Sequence, residues 1–417
     1  MSNISTLRDV CAEPYGFWLD SAVAYEGSRS YWGAEPAVIV RARGRNVTVE
    51  RRYGATERFD ADPFDAVREL LAERAAVREG VAVGYLGFGL KQHIERLPDT
   101  VADDQQLPDL QLAFYDRLRS FDPRELLPPA PAIGLPPSFE GLACTWTREA
   151  YVAAVERALD HIRAGEIYQV NLSQRFQARL AGRGPFDTYL RLRAQSPAPF
   201  GAYLSFPDST LLSSSPERFL RYEPRTRAVE TRPIKGTRPR GPGPKSDRAM
   251  AEELLASEKD RAENVMIVDL ARNDLGRVAE IGSVSVSDLC ELESYATVHH
   301  LVSTVRARLR ADRDVVDLLR ATFPPGSVTG APKIRSLEII DELEPVARGV
   351  YTGALGYIRA TGELDLSVAI RTMVTSNGVA SFHVGGAIVA DSEPAAEYEE
   401  TLHKGAALAR VLVGEGR

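Results

Sequence analysis

Two short acidic patterns mark where this chain could do chemistry. In EKDRAENVMIVDLARND, residues 258–274, Asp260 and Glu263 stand three apart. In SEPAAEYEETLHKG, residues 392–405, Glu397 and Glu400 repeat that spacing, and Lys404 lies one turn further on. On a helix, residues three apart share a face, with Cβ atoms about 5–6 Å from one another. Two helices that each present such a pair offer oxygen ligands to a hard cation such as Mg²⁺. The same spacing also describes a solvated helix face.

Lys235 sits in TRPIKGTRPRG, between two prolines and just before a glycine. It is either a surface cation on a mobile stem or an amine that the local chain holds in place. His299 and His300 lie in YATVHHLVSTV, flanked by Val298, Leu301 and Val302. That setting suits a core histidine or a buried acid. FPPGSVTGAPK, 323–333, lacks the Lys-Ser/Thr ending of a phosphate loop. It reads as a turn with Pro332 at the first position of a helix, whose free amides would face an anion. Gly385–Gly386, inside the strand-like HVGGAIVADS, marks either close backbone approach to a ligand or a bulge. There is no GxSxG and no Cys–His hydrolase signature, so the chain offers no nucleophile for glutamine hydrolysis.

These residues need a scaffold, and 417 residues can supply a large core. Net charge is −7, from 51 basic and 58 acidic residues that intersperse. No basic block points to nucleic acid, and no apolar run reaches a membrane span. Cys11, Cys144 and Cys290 are too few and too far apart for a disulfide framework or zinc spacing. Together with a start, MSNISTLRDVC, that has no apolar signal core, they lead us to expect a reducing cytoplasm.

Residues 1–122 mix strand-like runs (37–40, 47–50, 81–88) with a helical stretch near Phe64–Arg78. The segment 123–141 carries six prolines and reads as an extended connection, either a surface loop or a boundary. In 142–417, Thr147 caps a helix that Gly165 ends, and 166–180 forms a strand. AYLSF (202–206) and 210–222 form a strand pair. The stretch 236–245 is a Gly/Pro loop, and Ser246 opens one long helix through about Val268. Ser392 caps a last helix, with Pro394 close behind, running towards Val413. Strands and helices are abundant without regular alternation, so the reading is α+β, a large mixed α/β sandwich of antiparallel sheets with outer helices, in one intertwined unit.

Taken together and in order, SSSPERFL, RPIKGTR, SEKDRAENVMIVDLARNDLGRV, HHLVSTV, FPPGSVTGAPK, YTGALGYI, AIRT and HVGGAIVADSEPAAEYEET resemble the chorismate-binding enzymes. The likeness covers roughly residues 145–415 and implies an anthranilate synthase component I-like fold. It implies that Glu263 and Glu400 bind Mg²⁺, with Asp260 and Glu397 supporting, and that His300 is the acid, donating near neutral pH. Tyr351, Arg371, Gly385, Gly386 and Lys404 match the groups that hold the carboxylates of chorismate, and Gly236 and Thr237 flank its ring. PIKGT resembles the aminodeoxychorismate synthases, whose lysine adds to ring carbon 2; the anthranilate synthases carry alanine there. A neutral amine is required, and Arg232 and Arg238 would help to depress its pKa. Gln169 stands where the water-using relatives carry lysine, so ammonia is the expected co-substrate. The resemblance further implies a separate glutamine amidotransferase subunit as ammonia donor. DSAVAYEGSRSYWGAEP, 20–36, resembles the opening of the aminodeoxychorismate synthases, and residues 1–122 as a whole resemble the region that holds tryptophan in some relatives. Anthranilate synthase component I and a non-catalytic chorismate- or tryptophan-binding regulator are the competing readings.

Overall fold

The computed structural model describes residues 4–413 except 24, 26, 78, 130, 132–137 and 181. Parts of the 20–36 and 123–141 segments, the predicted helix end at Arg78, and both chain ends therefore lie outside the described residues.

Two antiparallel sheets form the frame. In the ten-stranded sheet, Gln169–Arg179 pairs with Val379–Ile388, and the order continues through Thr372–Ser376, Thr210–Ser215 and Phe200–Ser205 to Phe17–Asp20. In the twelve-stranded sheet, Ile234–Pro239 lies beside Val298–Arg308, and the order runs through Ala228–Thr231, Arg218–Glu223, Leu364–Val368 and Ala354–Arg359 to Val81–Leu86. Both sheets take strands from before and after the proline-rich segment.

Apolar residues from both sheets meet in one layer: Phe17, Leu19, Ala202 and Leu211 pack against Val83, Tyr85, Ala113 and Leu355. Helices cover the outer faces. Pro394–Val413 and Pro185–Gln195 contribute Leu408, Leu412 and Tyr189 to a cluster with Phe176 and Phe382 of the first sheet. Glu258–Gly276 and Val315–Thr322 contribute Val268, Leu275, Val316 and Leu319 to the core over the second. This is the expected sandwich with outer helices. Among the described residues no helix is long and apolar enough to cross a membrane, and all three cysteines are free.

Several local expectations are corrected. The stretch 210–222 is two strands in different sheets, broken at Pro216–Glu217, because proline cannot continue a central ladder. The predicted helix through Val268 is two, Pro244–Ala256 and Glu258–Gly276; Ser257 ends the first and its side chain caps the second through the amide of Asp260. The predicted loop after Gly236 begins as strand, through Pro239. Ser392 donates to Glu397, and Glu393 accepts the amide of Ala396 at the start of the last helix. Pro332 stands one position before its helix, Lys333–Leu343.

One buried pair ties the first sheet to the loop that precedes the Lys333–Leu343 helix. Arg348 and Glu344, both buried, meet at 2.6 Å. Arg348 also donates to the carbonyls of Val328 and Asn171, and Glu344 accepts from the amide and hydroxyl of Ser173. Removing one partner leaves a buried charge unmatched. Glu344→Ala should lower the free energy of unfolding by about 3–5 kcal/mol, read as a shift in denaturant midpoint; a loss below about 1 kcal/mol would mean the pair is dispensable.

Candidate active site

The amine is presented by a bulge. Ile234 stands opposite Val302 and Thr237 opposite His300, so Lys235 and Gly236 together face Leu301. A bulge re-aims a side chain out of the ladder. Gly236 takes φ +91°, and a Cβ there would come 3.0 Å from Cβ of Asp260, so glycine meets both demands.

Lys235 is 9% exposed, and among the described residues no carboxylate lies within ion-pair distance of its amine. Burial pushes its pKa below the ordinary lysine range; Glu263 opposes that, Lys404 adds to it, and Glu217 and Glu400 pull it back up. Arg232 and Arg238 are not the neighbouring cations expected from sequence. Arg232 pairs with Glu293, and Arg238 pairs with Glu253 and with Asp260 at 3.1 Å.

His300 comes from the facing strand. It is buried, its Nδ1 lies 2.8 Å from the Thr237 hydroxyl, and its Nε2 has no partner. Burial first, then the cation of Arg371, push its pKa down to about 3. The ring on its own is therefore neutral at pH 7, which corrects the expected ready protonation near neutral pH. Burial is the reason, and it is invisible in sequence. His299 points the other way, as alternation along a strand requires, onto Asp247 at 2.9 Å. Asp247 also receives two bonds of 2.6 Å from Arg240, which closes the 240–247 turn.

Of the carboxylate helices, Glu258–Gly276 packs on this strand and Pro394–Val413 packs on Val379–Ile388 of the other sheet. Glu263 is half-buried, and its pKa is raised by burial against the pull of Lys235. Glu400 binds Lys404 at 2.6 Å, which lowers its pKa. Glu397 is buried; Oε1 accepts from Ser392 at 2.5 Å, and Oε2 has no partner. Among the described residues no three His, Cys, Asp or Glu side chains close into a metal cage. A buried carboxylate oxygen without a donor, with Glu400 and Glu263 nearby, is a setting that suits a cation completed by further oxygen ligands.

On the opposite wall, Gly385 approaches the chain so closely that a Cβ would lie 2.6 Å from the Leu172 carbonyl oxygen and 2.9 Å from the Tyr351 hydroxyl. The amine of Lys404 donates to the Gly385 carbonyl at 3.3 Å, and a Cβ on Gly386 would lie 3.2 Å from Oε2 of Glu397. Tyr351 stacks on His383 with centroids 5.2 Å apart. Arg371, at φ +48°, has no carboxylate partner among the described residues; burial pushes its pKa down to about 10, with Tyr295 opposing, so it stays cationic. Gln169 is fully buried, and neither side-chain atom is bonded. Alternation sets it on the face of Asn171, whose amide nitrogen is likewise unbonded.

All the predicted residues except Gln169 are thus linked by direct contact or mutual charge, and Gln169 stands two positions from Asn171 at the strand's end. Sequence reading missed Glu217. It lies at the break between the sheets, accepts from the Ser327 hydroxyl at 2.5 Å and faces Lys235. The signal was an acid directly after the strand-breaking proline of SSSPERFL.

The chain matches the family model for chorismate binding enzymes over residues 20–410. It is 39% identical to aminodeoxychorismate synthase component 1 of Escherichia coli, over 89% of this chain and 87% of that protein. It is 53% identical to an aminodeoxychorismate synthase of Streptomyces griseus over 265 residues, 64% of this chain and 36% of that longer relative. The crystal structure of anthranilate synthase component I from Streptococcus pneumoniae superposes with a TM-score of 0.79 at 30% identity, covering 93% of each chain.

Burial raises the pKa of Glu217 to about 7, from 4.5 for an ordinary glutamate. The folded state therefore holds this proton more tightly than the unfolded chain. That contribution to stability is complete below pH 4.5 and lost as pH rises through 7. Glu217→Gln should flatten the stability profile across this window by about 3 kcal/mol, at 1.36 kcal/mol per pKa unit. Parallel wild-type and variant profiles from denaturant titrations would remove Glu217 as the titrating group.

Proposed function

Because the chain belongs to the chorismate-binding enzymes, we propose that it acts as component 1 of an aminodeoxychorismate synthase, converting chorismate and ammonia to 4-amino-4-deoxychorismate. The buried, unpaired amine of Lys235 carries this reading. Burial lowers the pKa of this amine, which favours its neutral, nucleophilic form. The proposed location is cytoplasmic.

Chorismate is a dianion. The unpaired guanidinium of Arg371 can take one carboxylate bidentately. Tyr351, Lys404 and the backbone at Gly385–Gly386 line the facing wall. Thr237 and Gly236 bound the ring beside His300.

The neutral amine of Lys235 adds to ring carbon 2, the ring double bonds shift, and the 4-hydroxyl leaves as water once protonated. Ammonia then bonds to carbon 4 and the lysine nitrogen leaves carbon 2. His300 is the proton source. Burial is the main reason that the ring holds a proton weakly, and the Arg371 cation adds to it; a bound carboxylate cancels the second of these and so eases protonation. Glu217, which titrates near neutrality and faces the amine, can take the proton that Lys235 sheds on bonding to carbon.

Glu263 and Glu400, supported by Asp260 and Glu397, would hold Mg²⁺. When bound, the ion neutralises and orients the ring carboxylate. The chain's own part is to keep the half-buried Glu263 and the more exposed Glu400 near the amine without salt-bridging it. Gln169 cannot act as a base towards water, which favours ammonia as nucleophile. A separate glutamine amidotransferase subunit would supply it. Anthranilate synthesis is the second reading, favoured by the likeness to the Streptococcus pneumoniae enzyme.

Two measurements test this. Purified protein with chorismate, Mg²⁺ and ammonium should yield aminodeoxychorismate, and Lys235→Ala should cut turnover by roughly a hundredfold or more. Anthranilate as the main product, or an unimpaired variant, would overturn the assignment. Glu263→Gln and Glu400→Gln should each raise the Mg²⁺ concentration needed for half-maximal turnover while leaving the far-UV circular dichroism unchanged. An unchanged Mg²⁺ requirement would remove that residue from the metal site.

A further inference from the structure

The bulge that presents Lys235 is held by a side chain from another element. Asn264 follows Glu263 on the helix Glu258–Gly276 and is 1% exposed. It shares a buried stripe with Ile267 and Val268, three and four positions on, where an apolar residue would be the default. Its amide nitrogen lies 3.4 Å from the carbonyl oxygen of Lys235 and 3.1 Å from that of Leu301. Those carbonyls belong to the amine-bearing residue and to the residue after His300. They stand where the two strands fall out of register, two residues opposite one.

The other end of the same amide is also fixed. Its oxygen accepts from the Ser303 hydroxyl. Ser303, fully buried, accepts in turn from the Cys290 amide at 2.9 Å. Cys290 has φ +54° and lies at a second irregularity, between Ser285–Ser294 and Val298–Arg308. One chain of bonds, Cys290 to Ser303 to Asn264 to Lys235, therefore spans the bulges on both sides of the His300 strand. The pattern leaves the amide a single orientation, since a flip would set its oxygen against two carbonyl oxygens.

We propose that Asn264 is a positioning residue, which holds the bulged Lys235–Gly236 backbone at a fixed distance from the His300 strand so that amine and imidazole face one substrate. The role rests on the proposed use of Lys235 as nucleophile. It goes beyond packing, because Asn264 touches the main chain of both catalytic segments and borders a carboxylate of the site. Loosening the clasp lets the Lys235 segment relax toward a regular ladder, which turns the amine away from the ring and towards water.

The test uses the full chain with Asn264→Ala, Asn264→Asp and Ser303→Ala, each checked for folding by denaturant midpoint. Two readouts are taken: kcat and KM for chorismate with ammonium, and the rate at which a small amine-acylating reagent labels Lys235, followed by peptide mass spectrometry. The expected result is a fall in kcat of roughly ten- to a hundredfold, the cost of misplacing a reacting group by about an ångström, with KM near wild type. Labelling of Lys235 should be several-fold faster, and Ser303→Ala should show both effects in milder form. Should the Asn264 variants not fold, Ser303→Ala alone decides. Wild-type labelling and kcat in the folded variants, or a change confined to KM, would overturn the proposal. A wild-type protein that turns over no chorismate would sink the functional reading, while the labelling contrast would still decide the placement of the amine.

Discussion

An amine buried without an ion-pair partner is the constraint that organises this molecule. Withdrawing an ammonium from water is costly, and a protein meets that cost by pairing the charge or by letting the proton go. Here three carboxylates lie near Lys235, yet each is committed elsewhere or stands off. Glu400 is held by Lys404, Glu217 by the Ser327 hydroxyl, and Glu263 acts only at a distance. A close carboxylate would have favoured the ammonium form. Lys404 works in the same direction as burial, since a second cation nearby favours the neutral amine.

The architecture explains how such an arrangement persists. Lys235 comes from an edge strand of one sheet, and Gly385–Gly386 and Gln169 come from strands of the other. The two carboxylate helices lie on different cores, one over each sheet, so five elements converge. Convergence of this kind cannot rely on local structure. It is secured by buried polar anchors: Arg348–Glu344 between the first sheet and the loop that precedes the Lys333–Leu343 helix, Asp247 on Arg240 and His299, and Asn264 across the bulge. Each anchor is satisfied at several atoms, which is the condition for a buried polar network to hold a single geometry.

What the sequence made legible follows from the range of the forces involved. Thr147 was readable as a cap because its hydroxyl acts on an amide three residues away, and the structure has that bond. The i,i+3 carboxylate pairs, the strand at Gln169–Arg179 and the last helix were legible for the same reason. The break at Ser257 was legible in principle, as a serine with an acid three residues on, but the longer apolar periodicity outweighed it. Other features depend on distant partners. Nothing near Arg232 or Arg238 reveals that Glu293 and Glu253 will claim them. Glu217 was hidden inside a quoted motif, because its importance lies in facing a lysine eighteen residues on across a sheet boundary. Burial sets the proton affinity of His300, and burial is a property of the whole fold.

That last point has a mechanistic consequence. Burial first, then Arg371 and more weakly Lys404, lower the proton affinity of His300, and among the described residues neither the imidazole Nε2 nor the Glu397 Oε2 has a partner. The site therefore holds one cation without a carboxylate partner among the described residues, Arg371, and one carboxylate oxygen without a donor, Glu397 Oε2. A neutral ligand would leave both unmet. A monoanion could answer the cation but would offer little to draw a metal between itself and the glutamates. A dianion with separated carboxylates answers both: one charge quenches Arg371, and the other can share a cation with Glu263 and Glu400. In the proposed reaction that first charge would remove the Arg371 share of the barrier to protonating His300, while the larger share, from burial, stays. An empty site keeps its imidazole neutral instead of holding a charged ring in a buried setting.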